Sequence, residues 1–185
     1  QSSTTGAITG TLSTSDASSN TYNFTVAVND TASNQATRAY SITVSPPPSG
    51  GTVTNTTIGG QAFRIHTFTS DGQFVLGTSV SQVDALVVAG GGSAGARHSG
   101  GAGAGGVLHI TGATIGAGTY AASVGNGGGR SPAETLGTIG QNTTFFGETA
   151  NGGGLTNAYT GPCGSHDGGS GGGQSGRHCN QTGSA

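Results

Sequence analysis

The sequence predicts an all-β protein in which strands are followed by packed glycine segments of the polyglycine II type. Residues 1–89 are rich in Ser, Thr and Val and alternate apolar with polar side chains, which is typical of antiparallel sheet. Of the 39 glycines, 31 lie in the 96 residues that begin at Gly90. Glycine costs about 1 kcal/mol relative to alanine at each helical position, so this second part is not expected to be helical.

The first elements predicted in chain order are a short strand over residues 6–11 and a β-hairpin over residues 22–44, with its loop near residues 31–35. Large apolar side chains recur at every second position of both hairpin strands, so we expect one face to be buried against a partner sheet. The residues expected to be buried are Tyr22, Phe24, Val26, Val28, Tyr40, Ile42 and Val44.

The domain boundary is predicted at residues 46–51, which read Pro-Pro-Pro-Ser-Gly-Gly and form a stiff polyproline spacer that ends in two glycines. The first domain then covers residues 1–45 and the second residues 52–185. In the second domain, residues 63–68 and 74–76 predict a hairpin closed by Asp71-Gly72. Further strands are predicted over residues 83–89, 107–111, 120–124 and 143–146.

The glycine runs of the second domain allow three structures: a flexible linker, a collagen-like helix or packed polyglycine II. The irregular glycine spacing excludes collagen. Apolar residues interrupt the runs at intervals, which favours packed threefold helices over a linker, and only hydrogen side chains let such chains approach closely. A flexible linker remains the alternative for the tail beyond Gly168.

The glycines at residues 90–95 match two enzyme motifs, and their context argues against both. This segment follows an apolar strand with G-x-G-x-x-G spacing and also contains G-x-S-x-G. Both motifs need a helix directly afterwards, whereas five more glycines occur within residues 96–106. The acid that would bind a ribose is missing between Asp84 and Glu134. The sequence predicts no catalytic residues and no cofactor.

Composition also limits the partners. The chain has 5 basic and 7 acidic residues and a net charge of −2, so counterion release from nucleic acid cannot drive binding. No apolar run approaches the ~20 residues that cross a membrane. The chain begins at Gln1 and contains no methionine, so we expect a processed secreted product or a fragment of something longer.

Two stretches resemble known families. The runs TTGAITGTL, YNFTVAVND and RAYSITV, within residues 1–45, are similar to the C-terminal half of the Ig-like repeats of bacterial and phage surface proteins. The runs FRIHTFTSDGQF, VDALVVAGGG, GAGGV, GTYAASVGNGG and NTTFFG, within residues 63–154, resemble the glycine-rich domain of phage tail fibres and other virion proteins. These resemblances imply a partial Ig-like β-sandwich followed by a polyglycine II-like domain.

The glycine-rich resemblance also implies that loops at one end of the packed glycine segments touch a host receptor. The loop candidates are residues 97–99, 130–136 and 156–167, which carry most of the polar and aromatic side chains between the glycine runs. The predicted receptor contacts are Arg97, His98, Tyr159, His166, Arg177 and His178. The same residues could instead be merely exposed on a spacer.

Cys163 and Cys179 are the two cysteines of the chain, and they enclose a glycine-rich loop of fifteen residues. An even pair in a chain with extracellular character predicts a disulfide, which would stabilise such a loop by about 3 kcal/mol. A zinc site formed with His166 and His178 is the alternative, but the adjacent His178 and Cys179 suit it poorly, so no metal is predicted.

The function that the sequence predicts is that of a non-enzymatic virion surface protein: a fibre, tail or capsid-surface component that displays structure and attaches to a host or surface. Its expected location is the virion surface or the extracellular space. Its expected partners are other virion proteins or copies of itself, in a homo-oligomer, and a host glycan or outer-surface protein. The alternative is a subunit of a cellular extracellular filament or matrix, in which donated strands complete the Ig-like half.

Overall fold

The computed structural model describes residues 20–132, 135–158 and 167–173, and within these ranges the chain forms ten β-strands and no helix. The predicted strand over residues 6–11 lies outside them. The chain divides into two compact units, Gln1–Pro48 and Ser49–Ala185. The strands are β1 (Asn20–Asn29), β2 (Gln35–Val44), β3 (Thr52–Ile58), β4 (Gln61–Thr67), β5 (Gly72–Leu76), β6 (Val80–Val88), β7 (Val107–Ile115), β8 (Gly118–Ser123), β9 (Thr143–Phe145) and β10 (Glu148–Ala150).

The described part of the first unit is the predicted hairpin. β1 and β2 pair antiparallel from Asn20 opposite Val44 to Asn29 opposite Gln35. The Asp30 carboxylate closes the turn, because its Oδ1 accepts the N–H groups of Ala32 and Asn34 at 2.8 Å each. Hydrogen bonds from the Asn34 side chain and backbone, followed by that from Ala32, lower the pKa of Asp30 below its ordinary value of 3.8.

The apolar side chains on one face of this hairpin are largely exposed. Phe24 and Tyr40 stack with ring centroids 5.7 Å apart, yet Val28 remains 63% exposed and Ile42 47% exposed. Five of the seven residues expected to be buried are exposed large hydrophobics, and the other two are half-buried. The described hairpin is a single two-stranded layer, so burial of this face requires a partner sheet beyond the described residues of this unit.

The second unit contains an antiparallel sheet in the order β10-β9-β8-β5 and two separate strand pairs, β3-β4 and β6-β7. The inner faces of the four-stranded sheet and of β6-β7 form the core. One cluster is centred on Phe74, Leu76 and Ile115, and a second on Val87, Ala89 and Ala150. Phe145 packs against both clusters and so joins them.

One predicted pairing is wrong. The sequence predicts that residues 63–68 pair with residues 74–76 across Asp71-Gly72, but β4 pairs with β3, and β5 pairs with β8. The β3-β4 turn is Gly59-Gly60, whose φ angles of 58° and 83° suit a tight hairpin turn. Asp71 instead accepts the N–H of Val124 at 2.7 Å and so ties the start of β5 to the end of β8.

The first residues of the second unit are bonded to its strands. Ser49, which the sequence assigns to the linker, exchanges backbone hydrogen bonds of 3.0 and 2.9 Å with Val75 along the edge of β5. The His66 Nδ1 lies 2.8 Å from the carbonyl oxygen of Gly50 and donates to it. The same imidazole packs edge-on against Phe74, which anchors the base of the β3-β4 hairpin to the core.

The glycine-rich residues form six extended segments that we call the glycine lattice: g1 (residues 89–96), g2 (100–106), g3 (125–129), g4 (135–142), g5 (151–158) and g6 (167–173). The segments carry no strand assignment and are joined by backbone hydrogen bonds. The described residues after Gly168 belong to this lattice, since the N–H of Gly173 donates to the carbonyl of Gly101 at 2.8 Å.

Hydrogen bonds between the segments recur every third residue. In g1, the N–H groups of Gly90, Ser93 and Ala96 donate to the carbonyls of residues 141, 138 and 135 of g4 at 3.0, 2.9 and 3.2 Å. A threefold extended helix turns successive amides through about 120°, so every third residue faces the same neighbour. The three-residue period confirms the predicted polyglycine II-like packing.

The number of neighbours around g1 also distinguishes the lattice from a sheet. This segment exchanges backbone hydrogen bonds with g2, g3, g4 and g5. A β-strand has two hydrogen-bonding edges and therefore pairs with two neighbours at most. A threefold helix directs its N–H groups and its C=O groups around the whole helix axis, so it can bond to more than two neighbours. The lattice therefore extends in two dimensions around g1.

Candidate recognition apex

The described lattice segments connect to the strands at one end of the lattice. Segments g1, g3 and g5 begin where β6, β8 and β10 end. Segments g2 and g4 end where β7 and β9 begin. Among the described residues, the opposite end carries the loops between g1 and g2 and between g3 and g4. We call the described residues of these two loops, 97–99 and 130–132, the apex. The N–H of Ala96 donates to the carbonyl of Thr135 at 3.2 Å, which sets the two loops side by side.

Backbone strain is present at the centre of the first apex loop. Arg97 and His98 have φ angles of 54° and 48°. Among the described non-glycine residues with positive φ, these two are adjacent in the chain. The left-handed conformation costs an L-residue roughly 1–2 kcal/mol. Two adjacent glycines would avoid this cost in a chain that uses glycine freely. The side chains of Arg97 and His98 are therefore candidates for function.

Both apex loops are held by their own hydroxyl groups. Ser99 Oγ donates to the carbonyl of Gly95 at 2.7 Å. In the second loop, Ser131 Oγ donates to the carbonyl of Leu136 at 2.6 Å, and Thr135 Oγ1 donates to the carbonyl of Pro132 at 2.7 Å. These bonds tie the described residues of each loop to the adjoining lattice segments, g1 for Ser99 and g4 for Ser131 and Pro132.

Below the apex, the lattice is supported by buried polar side chains on g5. Thr156 and Asn157 are both 0% exposed. Thr156 Oγ1 accepts the N–H of Gly95 at 3.0 Å and donates to the carbonyl of Gly100 at 3.2 Å. One hydroxyl thus fastens g1 and g2 on either side of the first apex loop.

Charge is distributed unevenly over the second unit. The apex carries three exposed basic side chains: Arg97, His98 and Arg130. The acidic residues described in this unit all lie in the strands or at the strand end of the lattice, and they are Asp71, Asp84, Glu148 and Asp167. Although the whole chain has a net charge of −2, the described apex residues include two arginines and no acid, while Glu134 of the second loop lies outside the described residues.

The predicted contact residues fall into two groups. Arg97 and His98 lie at the apex, as expected from their loop. Tyr159, His166, Arg177 and His178 lie outside the described residues, and so do Cys163 and Cys179, so the contacts and the disulfide remain predictions there. Arg130 was not among the predicted contacts, although the loop that contains it was predicted. The sequence could not show that this loop lies beside the loop that carries Arg97.

Other features of the described residues are less suited to a site. No group of three or more His, Cys, Asp or Glu side chains within them could hold a metal ion. A groove of about 400 Å³ lies at the strand end of the lattice, lined by Asn142, Asn151 and Asp167 among others. Asn142 Oδ1 already accepts the N–H of Gly152 at 2.8 Å, so this amide serves the lattice.

Comparison with known families agrees with this architecture. The two family matches below are compatible with a structural or surface protein. A family model described as a glycine-rich domain matches residues 67–185, so the chain belongs to this glycine-rich family. A second model, described as a "putative Ig domain", matches residues 2–45. Both matches confirm the predicted resemblances and their order. No curated protein and no solved structure matches the chain.

The described residues contain no helix long and apolar enough to span a bilayer.

Proposed function

We propose that the protein is a non-enzymatic component of a phage virion surface, in a fibre, tail or capsid-surface position, and that its apex attaches the particle to a host or other surface. The observation that carries this proposal is the strained pair Arg97 and His98, held at the end of a packed glycine lattice. The strain is maintained by the surrounding lattice, and binding residues commonly sit on loops carried by such scaffolds.

The lattice suits attachment for a thermodynamic reason. Each loop residue that must be ordered on binding costs conformational entropy of about 1–2 kcal/mol for its backbone. The hydrogen bonds of Ser99 and Ser131 to the adjoining lattice segments reduce the number of residues that binding must order. The partner in this proposal is a host glycan or outer-surface protein, and the expected location is the virion surface or another extracellular setting.

The test is adsorption of particles that carry the chain. In one variant the six predicted contacts, Arg97, His98, Tyr159, His166, Arg177 and His178, are replaced by alanine. A control variant replaces Arg38 and Arg64, which lie on β2 and β4. We expect the first variant to assemble normally and lose adsorption while the control adsorbs like the wild type. Unchanged adsorption by the six-residue variant would leave only a spacer role.

A second candidate function is that of a subunit in a cellular extracellular filament or matrix. The exposed apolar face of the β1-β2 hairpin favours it, because a strand donated by another copy could cover that face. The purified chain would then polymerise on its own. Filaments in electron micrographs, lost on substitution of Ile42 by aspartate, would favour this function, whereas a chain that stays unpolymerised at high concentration would argue against it.

A further inference from the structure

We infer that the ligand of the apex is an acidic polysaccharide, recognised through the carboxylate, sulfate or phosphate groups of its repeating units. This inference rests on the proposed function and specifies the chemistry of the same site. Its basis is the set of side chains that the apex presents: Arg97, His98 and Arg130 are exposed, while the hydroxyl groups of Ser99 and Ser131 donate to carbonyls of their own loops.

The composition of the described apex does not suit a neutral sugar. Neutral sugars are bound largely by aromatic stacking and by amide groups, and residues 97–99 and 130–132 contain no Phe, Tyr, Trp, Asn or Gln. A guanidinium group, in contrast, presents paired N–H donors that match the two oxygens of a carboxylate, sulfate or phosphate. The apex therefore presents donors for anions.

The arrangement of the two arginines suits a repeating anion. Arg97 follows g1 and Arg130 follows g3, and these neighbouring segments are joined by a bond of 2.7 Å from the Gly128 N–H to the Gly91 carbonyl. Arg130 is exposed. A flexible chain with charges at intervals can meet both groups in turn.

Nucleic acid is a less suitable polyanion. Its binding depends on many cationic contacts along the phosphate backbone, and the chain as a whole carries a net charge of −2. The described acids at the strand end of the second unit, including Glu148 and Asp167, would repel a long duplex that extended past the apex. The cationic surface is small and local, which fits a few charged sugar units.

The experiment measures binding of the full-length chain to four immobilised polymers: a polyuronate, dextran sulfate, neutral dextran and a single-stranded oligonucleotide. We expect binding to the first two, little binding to neutral dextran, and weaker binding as salt is raised. Binding to neutral dextran as tight as to the polyuronate would overturn the inference. Tighter binding to the oligonucleotide than to both acidic glycans would also overturn it and point to nucleic acid.

Variants locate the binding. Arg97→Ala and Arg130→Ala are each expected to weaken polyuronate binding about tenfold, since each removes charge-assisted hydrogen bonds. The matched control is the double variant Arg38→Ala and Arg64→Ala, which loses the same charge elsewhere and should change binding less than about twofold. A loss in the control double variant equal to that in Arg97→Ala and Arg130→Ala would overturn the inference. The double variant Arg97→Lys and Arg130→Lys keeps the charge at both apex positions. A circular dichroism spectrum like that of the wild type confirms that each variant is folded.

Failure of this inference differs from failure of the proposed function. If apex substitutions abolish adsorption of particles but the chain binds no acidic polymer, attachment by the apex stands and the acidic ligand is wrong. If the apex variants lose polyuronate binding but particles adsorb normally, the ligand chemistry stands and the attachment role is wrong.

Discussion

At the scale of single residues, the lattice depends on the absence of side chains at defined contacts. A Cβ atom built on Gly137 would overlap the carbonyl oxygen of Ser93, and one on Gly152 would overlap the carbonyl oxygen of Gly140. At Gly129, in contrast, a Cβ would meet no atom within 4 Å. The glycines of this chain are therefore not equivalent, although their sequence context is similar.

This difference gives the first prediction. Gly137→Ala should lower the free energy of unfolding by about 3 kcal/mol or more, because g1 and g4 must separate to admit the methyl group. Gly129→Ala should change it by about 0.5 kcal/mol or less. Chemical denaturation monitored by circular dichroism measures both values. Equal stabilities of the two variants would contradict close packing at Gly137.

The second prediction concerns the buried hydroxyl of Thr156. Thr156→Val keeps the shape of the side chain but leaves the N–H of Gly95 without its acceptor, which should cost roughly 1–3 kcal/mol of stability. Thr156→Ser keeps the hydroxyl and serves as the control, with a smaller loss expected. Denaturant midpoints compare the two. A serine variant less stable than the valine variant would show that methyl packing, not hydrogen bonding, matters at this position.

At the scale of elements, the β1-β2 hairpin is held mainly by its own pairing and by the turn at Asp30. The pKa of Asp30 is lowered in the folded state, first by the Asn34 side chain and then by backbone N–H donors. A group with a lowered folded pKa stabilises the fold above its unfolded pKa. That contribution is lost as the pH falls through the lower, folded pKa.

The third prediction follows from this sign. The turn should be fully formed at neutral pH and should loosen only below the ordinary value of 3.8. An NMR titration of the Ala32 and Asn34 amides measures it, since both donate to Asp30 Oδ1. Asp30→Ala should abolish the titration step. A step centred above 3.8 would contradict the assigned hydrogen bonds.

Prediction from the sequence worked best where the pattern was local. The two-residue alternation of β1 and β2 indicated both strands and their loop, because register in a hairpin is set by neighbouring residues. The pairing of β4 was wrong because Asp71-Gly72 and Gly59-Gly60 are both compatible with a tight turn. Which of the two turns closes the hairpin depends on packing against the core, where Asp71 accepts the N–H of Val124.

The lattice was predictable in type but not in arrangement. Glycine runs interrupted by apolar residues indicate threefold helices that need neighbours for their amides. Which segments become neighbours depends on bonds between distant residues, such as that from Gly153 to Gly90. Every glycine run offers the same amides, so the sequence alone could not show that Arg130 lies in the loop beside Arg97.

At the scale of the whole molecule, the two units should differ in their local stability. The described part of the first unit is one two-stranded hairpin with an exposed apolar face, and such hairpins are marginal in water. The lattice residues, in contrast, are joined across g1 by bonds to four other segments.

The fourth prediction is a difference in amide exchange in the isolated chain. Amides of β1 and β2 should exchange at least about a hundredfold faster than those of Gly140 and Gly153, which donate within the lattice at 2.9 Å each. Hydrogen–deuterium exchange with peptide-level mass spectrometry measures both. Strong protection of the hairpin at low concentration would mean that a partner sheet from the same chain covers it.

The central claim is that the apex is the surface through which the protein attaches. Cross-linking of the full-length chain to host envelope material, followed by mass spectrometry of the linked peptides, tests it most directly. The account predicts cross-links concentrated at residues 97–99 and 130–132, with few on the β3-β4 hairpin or at the strand end of the lattice. Cross-links concentrated on β1, β2 or β3, with the apex unmodified, would contradict the claim.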